Sequence, residues 1–187
     1  MAHATALFLD RDGVINQRIM GGYVTRWEDF HFLPGVLEAL VLARTQFDYI
    51  FIVTNQQGVG KGLMTATELA TIHQQMLAAI TQAGGKIDHI FTCTALASAQ
   101  DPNRKPGIGM ALQAKARYPS LDLSRSVMVG DTRSDLLFAH KAGMAAIWID
   151  HNTGAENAMP PFNYRCGSLF EAIQWWTNNS FADHEKG

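Results

Sequence analysis

Short apolar runs alternate along this chain with amphipathic stretches, and that alternation restricts the fold more than any other feature. The runs Thr5–Leu9, Tyr49–Thr54, Ile87–Thr92, Ser126–Gly130 and Met144–Ile149 read as strands. Helical spacing marks Gly35–Gln46, Ala66–Ala83, Gly107–Arg117 and Ser134–Ala142. In the second of these Leu69, Ile72, Met76 and Ile80 share one face, and Thr65-Ala66-Thr67-Glu68 supplies a capping box. A last helix is capped by Ser168-Leu169-Phe170-Glu171 and aligns Leu169, Ile173 and Trp176. Strands that are apolar throughout, joined by helices, predict an α/β fold whose parallel sheet is flanked by helices on both faces. In such sheets ligands sit beyond the carboxyl ends of the strands, so the residues at those ends bear most on function.

Two of the strands end in acids. Ala6-Leu7-Phe8-Leu9 runs straight into Asp10-Arg11-Asp12-Gly13, and Val127-Met128-Val129-Gly130 into Asp131. Crowded like charges at a buried strand end are costly unless a cation or an unusual protonation state relieves them. Two residues apart, Asp10 and Asp12 point the same way while Arg11 points elsewhere. Such a pair fits a carboxylate nucleophile, Asp10, attacking a phosphoryl group, with Asp12 protonating the leaving oxygen and then activating water. Asp131 with Asp10 makes an oxygen-only site suited to Mg²⁺. Asp135 can face the same pocket or merely cap its helix, because Thr132-Arg133-Ser134-Asp135 also reads as a capping box.

A phosphate needs donors and positive charge. Thr54-Asn55-Gln56-Gln57-Gly58 offers a hydroxyl, amides and backbone N–H groups after the second strand. Arg104-Lys105-Pro106 offers cations just before a helix, with the proline holding Lys105 extended.

These segments, Asp10-Arg11-Asp12-Gly13, Thr54-Asn55, Lys105-Pro106 and Gly130-Asp131 with Asp135, resemble the ordered motifs of the haloacid dehalogenase superfamily over about residues 5 to 150. The resemblance implies a Rossmann-like core, Mg²⁺ dependence and phosphomonoester hydrolysis through an aspartyl-phosphate. Under it Asp10 is the nucleophile and Asp12 the general acid/base. Thr54 and Lys105 hold the phosphoryl group, and Asp10, the Asp12 carbonyl and Asp131 bind Mg²⁺. The spacings leave no room for a large cap domain, so 1–187 is expected to be a single phosphatase domain with an open site.

Finer matches lie in Val14-Ile15-Asn16, Gly22-Tyr23-Val24, Pro34-Gly35-Val36, Gln56-Gln57-Gly58-Val59 with Lys61-Gly62, and Arg104-Lys105-Pro106. They resemble the heptose-bisphosphate and histidinol phosphatase branch. That resemblance places Tyr23, Asn55, Gln56 and Arg104 against the sugar or its second phosphate, with a small phosphorylated sugar as substrate. Histidinol phosphate or another small phosphorylated metabolite is the alternative substrate, and a catalytically silent phospho-ligand-binding module the alternative of another class. Two departures stand out. Many members carry a zinc loop of one histidine and three cysteines before Arg-Lys-Pro, whereas here only Cys93 and an unpaired His89 are available, so no structural zinc is expected. Thr132 stands where heptose phosphatases tend to have a lysine.

The remaining features are structural in this reading. Gly58-Val59-Gly60-Lys61-Gly62 lacks the upstream glycine and the hydroxyl residue of a phosphate-binding P-loop, and reads as a turn with Lys61 near the rim. His31, His73 and His140 are isolated and expected at the surface or partly packed. Of Trp175 and Trp176, one is expected to pack and the other to be exposed. Asn152 to Arg165, with its prolines and polar residues, reads as a surface excursion. A net charge of −2 gives nucleic acid no basic face. Apolar runs are too short for a bilayer, and Met1-Ala2-His3-Ala4 lacks a signal peptide's charged start. With only Cys93 and Cys166, a reduced cytoplasmic setting is expected, and a monomer.

Overall fold

The computed structural model describes residues 4–151 and 159–179. Six parallel strands form one sheet: β1 (Ala6–Leu9), β2 (Tyr49–Asn55), β3 (His89–Cys93), β4 (Val127–Gly130), β5 (Ala145–Ile149) and β6 (Tyr164–Cys166), in the order β3-β2-β1-β4-β5-β6. Among the described residues six α-helices accompany them: α1 (Val36–Ala43), the single turn α2 (Gln57–Gly60), α3 (Ala66–Gln82), α4 (Gly109–Arg117), α5 (Arg133–Ala142) and α6 (Leu169–Asn179). The chain reverses direction across the sheet between β1 and β4, which pair directly from Leu7 opposite Val127 to Leu9 opposite Val129. That reversal is where such sheets open a crevice at their carboxyl ends.

Strand alternation sorts the core into two layers. Leu7, Leu9, Ile50, Ile52, Val127, Val129, Ile147 and Ile149 face α1, α3 and α6. Their neighbours Ala6, Phe8, Phe51, Val53, Met128, Ala146 and Trp148 face α4 and α5. Both faces are therefore apolar and buried, which accounts for the continuous apolar runs. The capping box forms on α3, where Thr65 Oγ1 accepts from the Glu68 amide (3.1 Å) and the Thr65 amide donates to Glu68 (2.7 Å). On α6 the Glu171 amide donates to Ser168 (3.2 Å).

Three expectations need correction. Part of Asn152 to Arg165 lies outside the described residues, but its end is not an excursion: Tyr164 and Arg165 open β6, paired with Ile147 and Trp148. The ladder of β3 starts at His89 rather than Ile87, because the Asp88 carboxylate takes the Ile50 amide (2.7 Å) just before it. Trp175 and Trp176 are both half-buried; one stacks on Tyr164 (centroids 4.7 Å apart) and the other on Phe47 (5.6 Å). No helix among the described residues is long and apolar enough to cross a membrane.

Candidate active site

The tips of β1, β2 and β4 bring the acids, Thr54 and Lys105 to one edge of the sheet. Asp10 follows β1 directly and is buried, its amide tied to Val129 of β4 (3.1 Å). Lys105 Nζ donates to Asp10 Oδ1 (2.8 Å) and lies 2.6 Å from Asp135 Oδ1. Asp135 thus fills both roles left open above, since its other oxygen caps α5 by accepting from the Thr132 amide (3.0 Å) and hydroxyl (2.6 Å).

Asn55 pins Lys105 in place. Its side-chain amide donates to the Lys105 carbonyl (3.1 Å) and accepts from the Lys105 N–H (3.0 Å), a two-way pairing across the loop. The Lys105–Pro106 peptide is cis. Burial pulls the lysine towards neutrality, but the charges of Asp10 and Asp135 outweigh it and hold the ammonium above its usual range.

Asp12 is gripped by three donors: Arg11 Nη2 (2.9 Å) and Asn16 Nδ2 (3.0 Å) on one oxygen, Gln56 Nε2 (2.7 Å) on the other. Burial would raise its proton affinity, yet the Arg11 charge and these hydrogen bonds prevail and the carboxyl sits below the ordinary range. Arg11 does not point away from Asp12, as strand geometry alone implies. Its fully buried guanidinium curls back to the neighbouring carboxylate and also meets His73 Nε2 (3.2 Å). A guanidinium only donates, so His73 accepts through an unprotonated nitrogen.

Asp10, Asp131 and Asp135 each bring one oxygen within 4.8 Å of the others. Burial, and then the charges of Asp10 and Asp135, push the Asp131 carboxyl up to about 8. Burial, opposed by Lys105 and reinforced by Asp135 and Asp12, puts Asp10 at about 6. A set of hard oxygens under this repulsion fits a small divalent cation. Local backbone makes the cluster possible: Gly13 has φ +98°, and a Cβ there would lie 2.1 Å from Asp131 Oδ2. No residue with a side chain fits that approach.

Beside the cluster opens a cavity of about 470 Å³, walled by Asp10, Asp12, Tyr23, Asn55, Lys61, Arg104 and Lys105 among others. On its wall Lys61 Nζ donates to the Tyr23 hydroxyl (3.0 Å), and that hydrogen bond, opposed by slight burial, draws the phenol below its usual range. Arg104 reaches the same wall and anchors one nitrogen on the Ala95 carbonyl (3.2 Å). The turn Gly58 to Gly62 carries Lys61 here, and Gly58 lets the backbone lie against the Tyr23 ring, 3.2 Å from where a Cβ would stand.

Gln56, like Thr54 and Asp131, does not line the cavity. It is buried, and its amide joins Asp12 to the Thr54 hydroxyl (2.8 Å). Thr54 itself lies within β2 and is buried. His89 and Cys93 lie on β3, Cys93 within the apolar layer under α4. His31 and His140 are exposed and His73 is partly packed.

The sequence reading missed Arg18 and His151. Arg18 Nη2 donates to Asp131 Oδ1 (2.8 Å) and to the Asp12 carbonyl (2.7 Å), and His151 Nε2 lies 2.7 Å from the Gly13 carbonyl. Both belong to irregular segments, where no periodicity announces which way a side chain reaches.

Residues 102–165 match the family model for HAD-hydrolase-like proteins. A D-glycero-alpha-D-manno-heptose-1,7-bisphosphate 7-phosphatase of Mycobacterium tuberculosis is 42% identical over 144 residues, 77% of this chain and 76% of that protein. A D-glycero-D-manno-heptose-1,7-bisphosphate 7-phosphatase of Thermosynechococcus vestitus is 33% identical over 91% of this chain and 94% of its own. Among solved structures, the D,D-heptose 1,7-bisphosphate phosphatase of B. bronchiseptica, complexed with magnesium and phosphate, superposes with a TM-score of 0.85 at 31% identity. It covers 93% of this chain and 98% of its own.

Proposed function

Because this chain belongs to the haloacid dehalogenase superfamily, within its heptose-1,7-bisphosphate 7-phosphatase family, we propose that it removes the 7-phosphate of D-glycero-D-manno-heptose 1,7-bisphosphate. The observation that carries this reading is a cavity lined by three cations beside the acids. Lys105 stands against Asp10, while Lys61 donates to Tyr23 and Arg104 lines the same cavity. A sugar carrying two phosphates offers one anion to Lys105 and another to Lys61 and Arg104, and a guanidinium suits the second phosphate because its fork engages two oxygens.

In this mechanism Lys105 draws one phosphoryl group against Asp10. A carboxylate oxygen of Asp10 forms a bond to phosphorus as the bond from phosphorus to the sugar oxygen breaks, and Asp12 gives that oxygen its proton. The incoming phosphate dianion raises the proton affinity of Asp12 against the pull of Arg11. Asp12 then takes a proton from water, whose oxygen attacks the aspartyl-phosphate and releases inorganic phosphate and free Asp10. Thr54 and the backbone after β2 offer donors to the phosphoryl oxygens, while Asn55 fixes Lys105 throughout. Mg²⁺ would be held by Asp10, the Asp12 carbonyl and Asp131, and supplies charge neutralisation for the phosphoryl oxygens. In this reading residues 1–187 act as one catalytic unit.

The test is phosphate release from the heptose bisphosphate with and without Mg²⁺, the product being identified by ³¹P resonance. Loss of the 7-phosphate alone supports the reading. No release, or equal release without metal, refutes it.

A further inference from the structure

Arg18 holds three oxygens at once. Its Nε and Nη2 both donate to the Asp12 carbonyl (3.2 and 2.7 Å), Nη2 also reaches Asp131 Oδ1 (2.8 Å), and it lies 3.6 Å from Asp10 Oδ2. These are the same three groups assigned above to the metal. A guanidinium stays charged at any working pH, so it neutralises the cluster permanently while it remains there. A divalent ion and the guanidinium compete for the same oxygens and repel one another, so seating one disfavours the other.

Among the described residues Arg18 has no polar partners beyond these three groups. Its side chain is 36% exposed, the adjoining Met20 is 87% exposed, and Gly21 follows with φ +70°. The same side chain borders the cavity that Tyr23, Lys61 and Arg104 also line. A guanidinium leaving the acids therefore has a short path into a space prepared for anions.

We propose that Arg18 is the resident counter-cation of the metal seat, and that metal entry transfers its guanidinium to the phosphorylated substrate in the adjoining cavity. The proposal rests on the phosphatase reading and deepens it. Arg18 keeps the acids paired before metal arrives, then adds a positive charge to the substrate side once the metal has replaced it. Metal and substrate thereby cooperate through one side chain with two alternative partners, each charge transfer favouring the next binding event.

The experiment is Mn²⁺ binding to Arg18→Gln and to the unaltered protein without substrate, followed by electron paramagnetic resonance. The variant should bind Mn²⁺ about tenfold more tightly, the factor expected if the guanidinium holds the seat about nine-tenths of the time. Its KM for the bisphosphate should rise, so that metal and substrate affinities move in opposite directions, which loss of a merely structural contact does not produce. Unchanged or weaker Mn²⁺ binding overturns the exchange, and tighter binding with unchanged KM overturns the transfer to substrate. Should neither protein bind Mn²⁺, the metal-dependent phosphatase reading itself fails. A crystal structure of the unaltered protein with Mn²⁺ decides independently of any variant: Arg18 still within hydrogen-bond distance of Asp131 would sink the proposal.

Discussion

Asp10 and Arg104 stand at opposite duties within one cavity, and substitutions separate them. Asp10→Asn keeps the shape and the Lys105 neighbour but removes the nucleophile, so turnover should drop by about 10⁴-fold or more. Circular dichroism should be unaltered, and a steady-state rate within tenfold of the parent would remove Asp10 from that role. Arg104→Ala should raise KM for a bisphosphate by about tenfold and for a monophosphate far less, because only the former has a remote anion to lose. Equal effects on both would assign Arg104 to the reacting phosphoryl group. The placement of Asp10, Asp12 and Asp131 was legible because strand ends announce themselves where apolar runs break, and that of Lys105 because Arg104-Lys105-Pro106 precedes a helix. Arg18, His151 and the inward turn of Gln56 were not, since a long side chain from an irregular loop has many places to reach and only the assembled neighbours select one.

Elements were easier to read than their edges. Both-sided burial leaves β1, β4 and β5 apolar along their whole length and β2 as far as Val53, and capping boxes marked the starts of α3 and α5. The edge strand β6 escaped notice for the opposite reason. It is three residues long, and its middle residue, Arg165, is exposed and paired with Asp150 (2.6 Å), so neither length nor hydropathy sets it apart from loop. At this scale the Thr65–Glu68 box is open to direct test. Thr65→Ala should cost about 1 kcal/mol in urea unfolding and leave kcat and KM unchanged, since α3 presents Leu69, Ile72, Met76 and Ile80 to the core and contributes none of the acids. A stability change within experimental scatter would show that the cap adds nothing to this helix.

The molecule as a whole has an acid-sensitive joint between α3 and the site loop. Burial, and then the charge of Arg11, depress His73 from its ordinary 6.5 to about 4. The unfolded chain takes a proton at the ordinary value while the folded one resists, so this contribution is complete above pH 6.5 and is lost as pH falls towards 4. The melting temperature of the parent should therefore fall more steeply across that interval than that of His73→Gln, whose amide oxygen still accepts from Arg11. Parallel profiles would locate the acid sensitivity elsewhere. The resemblance of the motifs foretold the architecture and the acids, but this joint depends on contact between residues far apart in sequence, and periodicity carries no trace of it.

At Gly13 the backbone passes so near Asp131 that one methyl group would take the place of a carboxylate oxygen. Tolerance there is a matter of bulk, not charge. Efforts to stiffen this loop by the usual replacement of glycine would displace the acid at the end of the neighbouring strand, so any redesign for robustness must begin somewhere other than the most pliable link of the site.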